Sequence, residues 1–299
     1  MFAPIVVFAF NRPDSLRATI ESLATNDLAS QSDLIIYSDG PRHVQDLDNI
    51  TAVRRYIMQL GEEFRRIIPH FATTNKGLGQ SIIDGAGEVL RQYGKAIIIE
   101  DDLVCAKDFL SYMNQTLDFY ENDPRIISVC GCGLKIKRPE NYMGDVYLLG
   151  RSSSWGWGTW LNRWEQIDWQ ISDWESFSAD KKAKKAFNRN GSDLYDLLKA
   201  YMSGKNNSWA IRFCYNQFRQ NKYAVIPFIS RIINRGFGDD ATNCKQKYNR
   251  FKVEFRAEGC DGLQLPKHPP IDPQIERACR NYHTISIRMY SKLRKLLNL

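Results

Sequence analysis

Ala96-Ile97-Ile98-Ile99-Glu100-Asp101-Asp102 is the stretch on which the fold turns. A short, uninterrupted apolar run, mostly β-branched, reads as a strand buried on both faces, as strands of a parallel sheet covered by helices are. Two earlier runs share its character, Ile5-Val6-Val7-Phe8-Ala9-Phe10 and Leu34-Ile35-Ile36-Tyr37. Each ends in polar residues, Asn11-Arg12 after the first and Ser38-Asp39-Gly40 after the second. Between the runs lie helical patterns at 14–23, with Asp14 as N-cap after Pro13, at 48–60 and at 78–93. Strands alternating with helices predict βαβ units and a mostly parallel α/β sheet. Ligands of such sheets bind beyond the carboxyl ends of the strands, so the three polar tails are expected to converge on one site.

Three successive carboxylates at a strand exit repel one another unless a cation offsets them. Mg²⁺ or Mn²⁺ suits the place, because these hard ions take one or two carboxylates and complete their shell with water and phosphate oxygens. The bland alternative is a solvated acidic turn. Asn75-Lys76-Gly77-Leu78-Gly79 opens the third helix, and its glycines would let backbone amides approach an anion. Its spacing is not that of a Walker loop.

The chain has 299 residues, 43% of them hydrophobic, enough for a large core and too apolar for disorder. A net charge of +7 favours anionic partners, yet acidic and basic residues are interspersed, so a phosphorylated small ligand fits and nucleic acid is not indicated. Seven cysteines without a CxxC pair suggest reduced thiols in a cytosol. Met1-Phe2-Ala3-Pro4 leads straight into a strand-like run with no basic leader, so secretion is not expected. No apolar run is long enough to span a bilayer.

Beyond residue 104 the pattern continues with a helix at 108–120 and a strand at 126–129, then changes. Trp155, Trp157, Trp160, Trp164, Trp169 and Trp174 crowd into a short stretch. Trp155 and Trp157, flanked by glycine and serine, are the better functional candidates, whereas Trp164, Trp169 and Trp174 read as core. Helices at 180–187 and 208–219 and a strand at 224–229 follow. Residues 1–265 therefore read as one domain in two halves, 1–104 and 105–265. Residues 266–299 read as a proline-rich linker and a basic amphipathic helix.

Residues 4–13, 35–40, Asn75 to Gly79 and Glu100-Asp101-Asp102 together resemble the nucleotide-sugar half of GT-A glycosyltransferases. They are most similar to family-2-like bacterial enzymes and to N-acetylglucosaminyltransferase I. The resemblance implies a Rossmann-like, mostly parallel mixed sheet and transfer of a sugar from a nucleoside diphosphate, UDP being favoured, to a saccharide or lipid-linked acceptor, with inversion. The setting it implies is bacterial cell-surface polysaccharide synthesis. It further implies Asp102 as the ligand of Mn²⁺ or Mg²⁺, Glu100 and Asp101 near the sugar and ribose, and Asp39 accepting from the base. Phe10, Asn11, Arg12, Lys76 and Gly77 complete the donor-binding set. Capping, turn-forming and solvated-surface roles are the alternatives for Arg12, Asp39 and Lys76.

An inverting transfer also needs a base. Where N-acetylglucosaminyltransferase I carries acidic residues just before a tryptophan, this chain has Asn207 and Ser208 before Trp209. The base candidates are then Asp240 and Asp239, in a glycine-flanked turn that suits a lid, and Asp168. Trp155, Trp157 and Trp209 are expected to floor the donor and acceptor sites. A noncatalytic nucleotide- or sugar-binding protein is the rival reading. In the tail, Ile285, Met289, Leu293, Leu296 and Leu297 oppose Arg288, Lys292, Arg294 and Lys295, a pattern compatible with an anionic membrane surface. The expected location is cytoplasmic, peripheral at the inner membrane.

Overall fold

The computed structural model describes residues 2–236 and 250–296, without the side chains of 295 and 296. Its first part runs β1 (Ile5–Ala9), α1 (Pro13–Ala24), β2 (Asp33–Ser38), α2 (Leu47–Met58), β3 (Arg66–Phe71), α3 (Leu78–Tyr93) and β4 (Lys95–Glu100). Then come β5 (Leu103–Cys105), α4 (Phe109–Tyr120), β6 (Ile126–Cys130), β7 (Val146–Leu149), β8 (Trp157–Trp160), α5 (Leu161–Trp164), α6 (Trp174–Ala179) and α7 (Lys181–Phe187). The remainder is α8 (Leu194–Met202), α9 (Trp209–Arg219), β9 (Tyr223–Pro227), β10 (Ile232–Asn234), α10 (Pro273–Asn281) and α11 (Ile285–Leu296).

Among the described residues the main sheet has the order β3-β2-β1-β4-β8-β6-β9-β7. β1 pairs in parallel with β2 and β4, and β2 with β3, as the βαβ pattern predicts. β8 then inserts antiparallel between β4 and β6, and β7 lies antiparallel on the far edge, making the sheet mixed but mostly parallel. Every residue of β1 is buried, and Ile97, Ile98 and Ile99 of β4 have no exposure at all. At about 1.5–3 kcal/mol for each such side chain, this stretch alone contributes several kcal/mol. One core lies on each face of the sheet, Val7, Leu16 and Ile99 belonging to one and Val6, Ile98 and Trp157 to the other.

α3 and α9 match their predicted spans almost residue for residue. Arg12, not Asp14, holds the N-cap position of α1, without a side-chain capping bond: Pro13 occupies the first helical turn, where its missing N–H costs nothing, and Asp14 follows inside it. β3, read from sequence as no strand at all, is a half-exposed edge strand, the one place where Pro69 can sit without losing a ladder bond. The tryptophan-rich stretch supplies a central strand, β8, in which Trp157 faces Ile98. The proline-rich segment after β10 stays packed on the domain. Tyr120 donates to the Pro266 carbonyl at 2.8 Å, and Ile275 and Cys279 of α10 are buried with Tyr147 and Trp209.

β5 and β10 form a separate two-stranded antiparallel ladder just past the carboxylate triplet. It returns the chain to the site. Arg235 N donates to the Asp102 carbonyl at 2.8 Å, and Gly236 lies so close to the Asp102 carboxylate that a Cβ there would collide with it.

Candidate active site

Because β1, β2 and β4 are parallel and in register, Phe8 lies beside both Tyr37 and Glu100, and the three strands end at one level. Their polar tails open into a cavity of about 540 Å³, within the usual range for a small-molecule site. Phe10, Arg12, Asp39, Glu100, Asp101 and Asp102 line one side, and Ser154, Trp155, Asn207, Ser208 and Trp209 the other.

The carboxylates are organised by Arg12. Its guanidinium bonds Asp101 and reaches Asp102 Oδ2 at 3.1 Å, while Phe10 N donates to the other Asp101 oxygen at 3.3 Å. Burial works against the Arg12 charge, but Asp101 and Asp102 more than offset it and raise its pKa. Burial, with the nearby charges of Asp102 and Asp101, pushes Glu100 up to about 8, so this carboxyl is mostly protonated at neutral pH. Asp101 is pushed up to about 6 by burial, against the pull of Arg12. Repulsion within the triplet is relieved in part by the Arg12 guanidinium. Among the described residues, Asp102 Oδ1 is left buried with no hydrogen-bond partner.

Asp39 lines the cavity, but its carboxylate is already saturated. Oδ1 accepts from Gly40 N and Lys76 N, each at 2.9 Å, and Oδ2 from Gly77 N at 2.9 Å and Asn75 Nδ2 at 3.0 Å. A carboxylate has about four lone-pair positions, so none is open to a base N–H in this geometry. Asp39 instead clamps the loop entering α3, and the amides of Lys76 and Gly77 go to it, not to an anion. Gly77 holds φ at 75°, a left-handed value that favours glycine. The Lys76 ammonium lies away from the cavity lining, 3.4 Å from exposed Asp84. Asn11 is likewise outside it, donating to Asp46 at 2.8 Å and so fixing the loop after β1.

Two residues went unread in the sequence. Arg42 lines the cavity with its guanidinium 4.6 Å from the centre of the Phe10 ring. Tyr37 stacks between Phe8 and His70, at 5.3 and 4.5 Å, and also faces the cavity. The signal for Tyr37 was its place at a strand end, whereas Arg42, beyond the turn at Gly40, left none.

Of the tryptophans, Trp155 and Trp209 line the cavity. Trp157 does not: it is 2% exposed and stacked between Trp209 and Trp164 at 4.8 and 5.8 Å, a core residue that anchors α9 to the sheet. Gly79 allows the N-terminus of α3 to touch the Asn207 carbonyl, where a Cβ would collide. The Ser208 hydroxyl caps α9 by accepting from Ile211 N at 3.3 Å. Asp168 also lies outside the cavity lining. Its carboxylate accepts from the backbone of Gln170, Ile171 and Ser172, supporting a turn in which Ile171 has φ 57°. A carboxylate spent on its own turn and held below its usual range is not a base for a distant hydroxyl. Asp239 and Asp240 lie outside the described residues.

No curated protein matches the sequence. Among solved structures, the chain is similar to the mannosyltransferase PcManGT from Pyrobaculum calidifontis, solved with GDP-Man and Mn²⁺, at 14% identity over 56% of this chain and 47% of that one, with a TM-score of 0.39. TarS residues 1–349 from S. aureus match at 10% identity over 79% and 61%, with a TM-score of 0.43. The apo form of mouse xyloside xylosyltransferase 1 matches at 9% identity over 73% and 81%, with a TM-score of 0.37. The chain therefore spans 47% and 61% of the length of the first two. Likeness this distant says nothing about substrate. Sequence is more decisive, since the model of the GNT-I family matches residues 1–191, which include the three converging strand ends, the carboxylate triplet and the β8 tryptophans. The matched residues carry the parallel half of the mixed sheet, and with that match the chain belongs to the GNT-I family.

Proposed function

We propose that the chain transfers a sugar from a nucleoside-diphosphate sugar, with UDP as the favoured nucleotide, to a hydroxyl of a saccharide or lipid-linked acceptor, with inversion. The observation that carries this reading is Asp102 Oδ1, buried and without a hydrogen-bond partner among the described residues, on the lining of a cavity of about 540 Å³ beside Arg12 and Gly236. Buried polar atoms are almost always paired, and a hard divalent cation would complete this one. Among the described residues no three His, Cys, Asp or Glu side chains gather into a closed metal site. One carboxylate with an open side is what Mg²⁺ or Mn²⁺ uses when substrate phosphates and water supply its other ligands.

Asp102 would hold the cation, which when bound would neutralise charge on the departing diphosphate. The chain's own groups do the rest. Arg12 fixes Asp101 and Asp102 in place, and Arg42 offers planar donors to phosphate or base edges. Glu100 and Asp101 line the cavity beside Asp102, where they can meet sugar or ribose hydroxyls. Trp155 and Trp209 present apolar walls on the acceptor side. Asp239 and Asp240, outside the described residues, stay the base candidates.

A noncatalytic nucleotide-binding role is favoured by one observation: among the described residues, the acceptor side of the cavity carries Ser154, Asn207 and Ser208 but no carboxylate. For location, no helix of the described residues is long and apolar enough to cross a membrane. Ile285, Met289 and Leu293, all more than half exposed on α11, support contact with an anionic membrane surface. The test is calorimetry with UDP, GDP, CMP and their sugars, with and without Mn²⁺, followed by assay of donor turnover. Mn²⁺-dependent binding of UDP with turnover of a UDP-sugar is expected. Binding without turnover would favour the noncatalytic role, and absence of any nucleotide binding would overturn both.

A further inference from the structure

Behind the wall formed by Ser154, Trp155, Ser208 and Ala210 lies a second cavity of about 240 Å³, sharing those four residues with the first. Its lining is of a different kind. Leu134, Leu149, Leu194, Leu197, Ile211 and Ile226 dominate it, and among the described residues no carboxylate lines it. Apolar cavities of about 150 Å³ already admit a benzene-sized ligand, so this one has room for an aromatic ring or a short alkyl chain. Cores are packed to crystal-like density, and a space of this size beside an active site is not ordinary packing slack. Leu197, 39% exposed, leaves an apolar edge at its rim.

Polar groups at one end show that the space is built. Arg151 and Asp193 form a bidentate pair at 2.8 and 3.0 Å. His283, 6% exposed, also lines the cavity, and its buried Nδ1 lies 3.7 Å from Asp193 Oδ2, at the edge of the same ion-paired group. An amphiphilic ligand, with a hydroxyl end toward the shared wall and an apolar body among the leucines and isoleucines, matches that division.

Resting on the sugar-transfer reading above, we propose that the acceptor bears an apolar alkyl or aryl group next to the sugar that presents its hydroxyl, and that the second cavity binds this group. The shared wall then sets the reach: the apolar group anchors on one side of Trp155 and Ser208, and the hydroxyl faces the donor on the other. Free, fully polar saccharides would leave the second cavity unused and bind correspondingly weakly.

The test uses the full chain and three probes, methyl, phenyl and n-octyl β-D-glucopyranoside, titrated below the micelle concentration of the octyl compound. Phenyl or octyl glucoside should bind at least tenfold more tightly than methyl glucoside; the phenyl arm reports an aryl preference and the octyl arm a lipid-like one. Leu197→Arg at the rim, and Leu134→Arg as a second variant, should each reduce that preference below threefold while melting like the parent without ligand. Equal affinity for the three probes, no binding by any, or a preference that survives both substitutions would overturn the proposal. UDP titration with Mn²⁺, run in parallel on the unaltered chain, tests the nucleotide reading separately, so failure of one is distinguishable from failure of the other.

Discussion

On the side of the crevice built by residues 1–104, charged groups meet in fixed combinations: Arg12 with Asp101 and Asp102, and Asp39 with the backbone of the loop before α3. On the side built by residues 105–265 the walls are Trp155, Trp209 and small polar residues, and the chemistry turns apolar within one layer of side chains. The contrast separates two tasks. Holding a phosphorylated ligand requires placed charge, which parallel strands ending at one level supply. On the proposed function, holding an acceptor requires shape, which α9 packed on the sheet and α8 packed on α9 supply.

The largest effect expected from disturbing this division is on stability, within the acceptor side. Trp157→Ala should cost about 3–5 kcal/mol, the range for truncating a large buried aromatic, because Trp157 stacks on Trp164 and Trp209 and holds α9 down. Trp155→Ala should cost far less and show instead as weaker acceptor binding. Denaturant unfolding of both variants checks this, and equal losses would erase the distinction between core and cavity tryptophans.

A second effect follows from the ion-paired end of the apolar cavity. Burial first, then the charge of Arg151, lowers His283 to about 4 from an ordinary 6.5, while Asp193 pulls the other way. On acidification the unfolded chain therefore takes up the proton first. The stability this group contributes is complete above pH 6.5 and is lost as pH falls toward 4, amounting to about 2 kcal/mol between pH 7 and pH 4.5. Asp193 is affected in the same direction: burial would raise its pKa, but His283 and Arg151 overcome that and hold it well below the usual carboxylate range. Melting of the parent and of His283→Phe across that pH range is the check, and an unchanged pH slope in the variant would contradict it.

The smallest effect is expected at Asp168. Asp168→Asn should loosen the 168–172 turn by about 1 kcal/mol, the usual worth of such a hydrogen-bonded group, and leave transfer intact. Loss of turnover without loss of stability would restore Asp168 as a base candidate.

The first half was legible because its signals are local. Runs such as Ile97 to Ile99 are short, apolar and bounded by polar residues, and parallel strands place their ends together without further information. The carboxylate triplet and Arg12 were found that way. Partner choice was not legible: Asp39 is claimed by residues 36–38 positions away, Asn11 by Asp46 and Lys76 by Asp84. A side chain at the right strand end can still spend its hydrogen bonds on the scaffold. In the second half the strands are short, and β8, reading Trp-Gly-Thr-Trp, has no apolar run to announce it. Its antiparallel insertion beside β4 carries Trp157 into the core, so glycine and serine neighbours were a poor guide to exposure.

The central claim is that Asp102 binds a nucleoside diphosphate through a divalent cation, and one titration tests it most directly: UDP with Mn²⁺ added to the parent chain and to Asp102→Asn. Binding to the parent that depends on Mn²⁺, and that is lost by about a hundredfold or more in a variant of unchanged melting temperature, is the predicted result. Equal UDP affinity in the two proteins, with Mn²⁺ or without it, would contradict it.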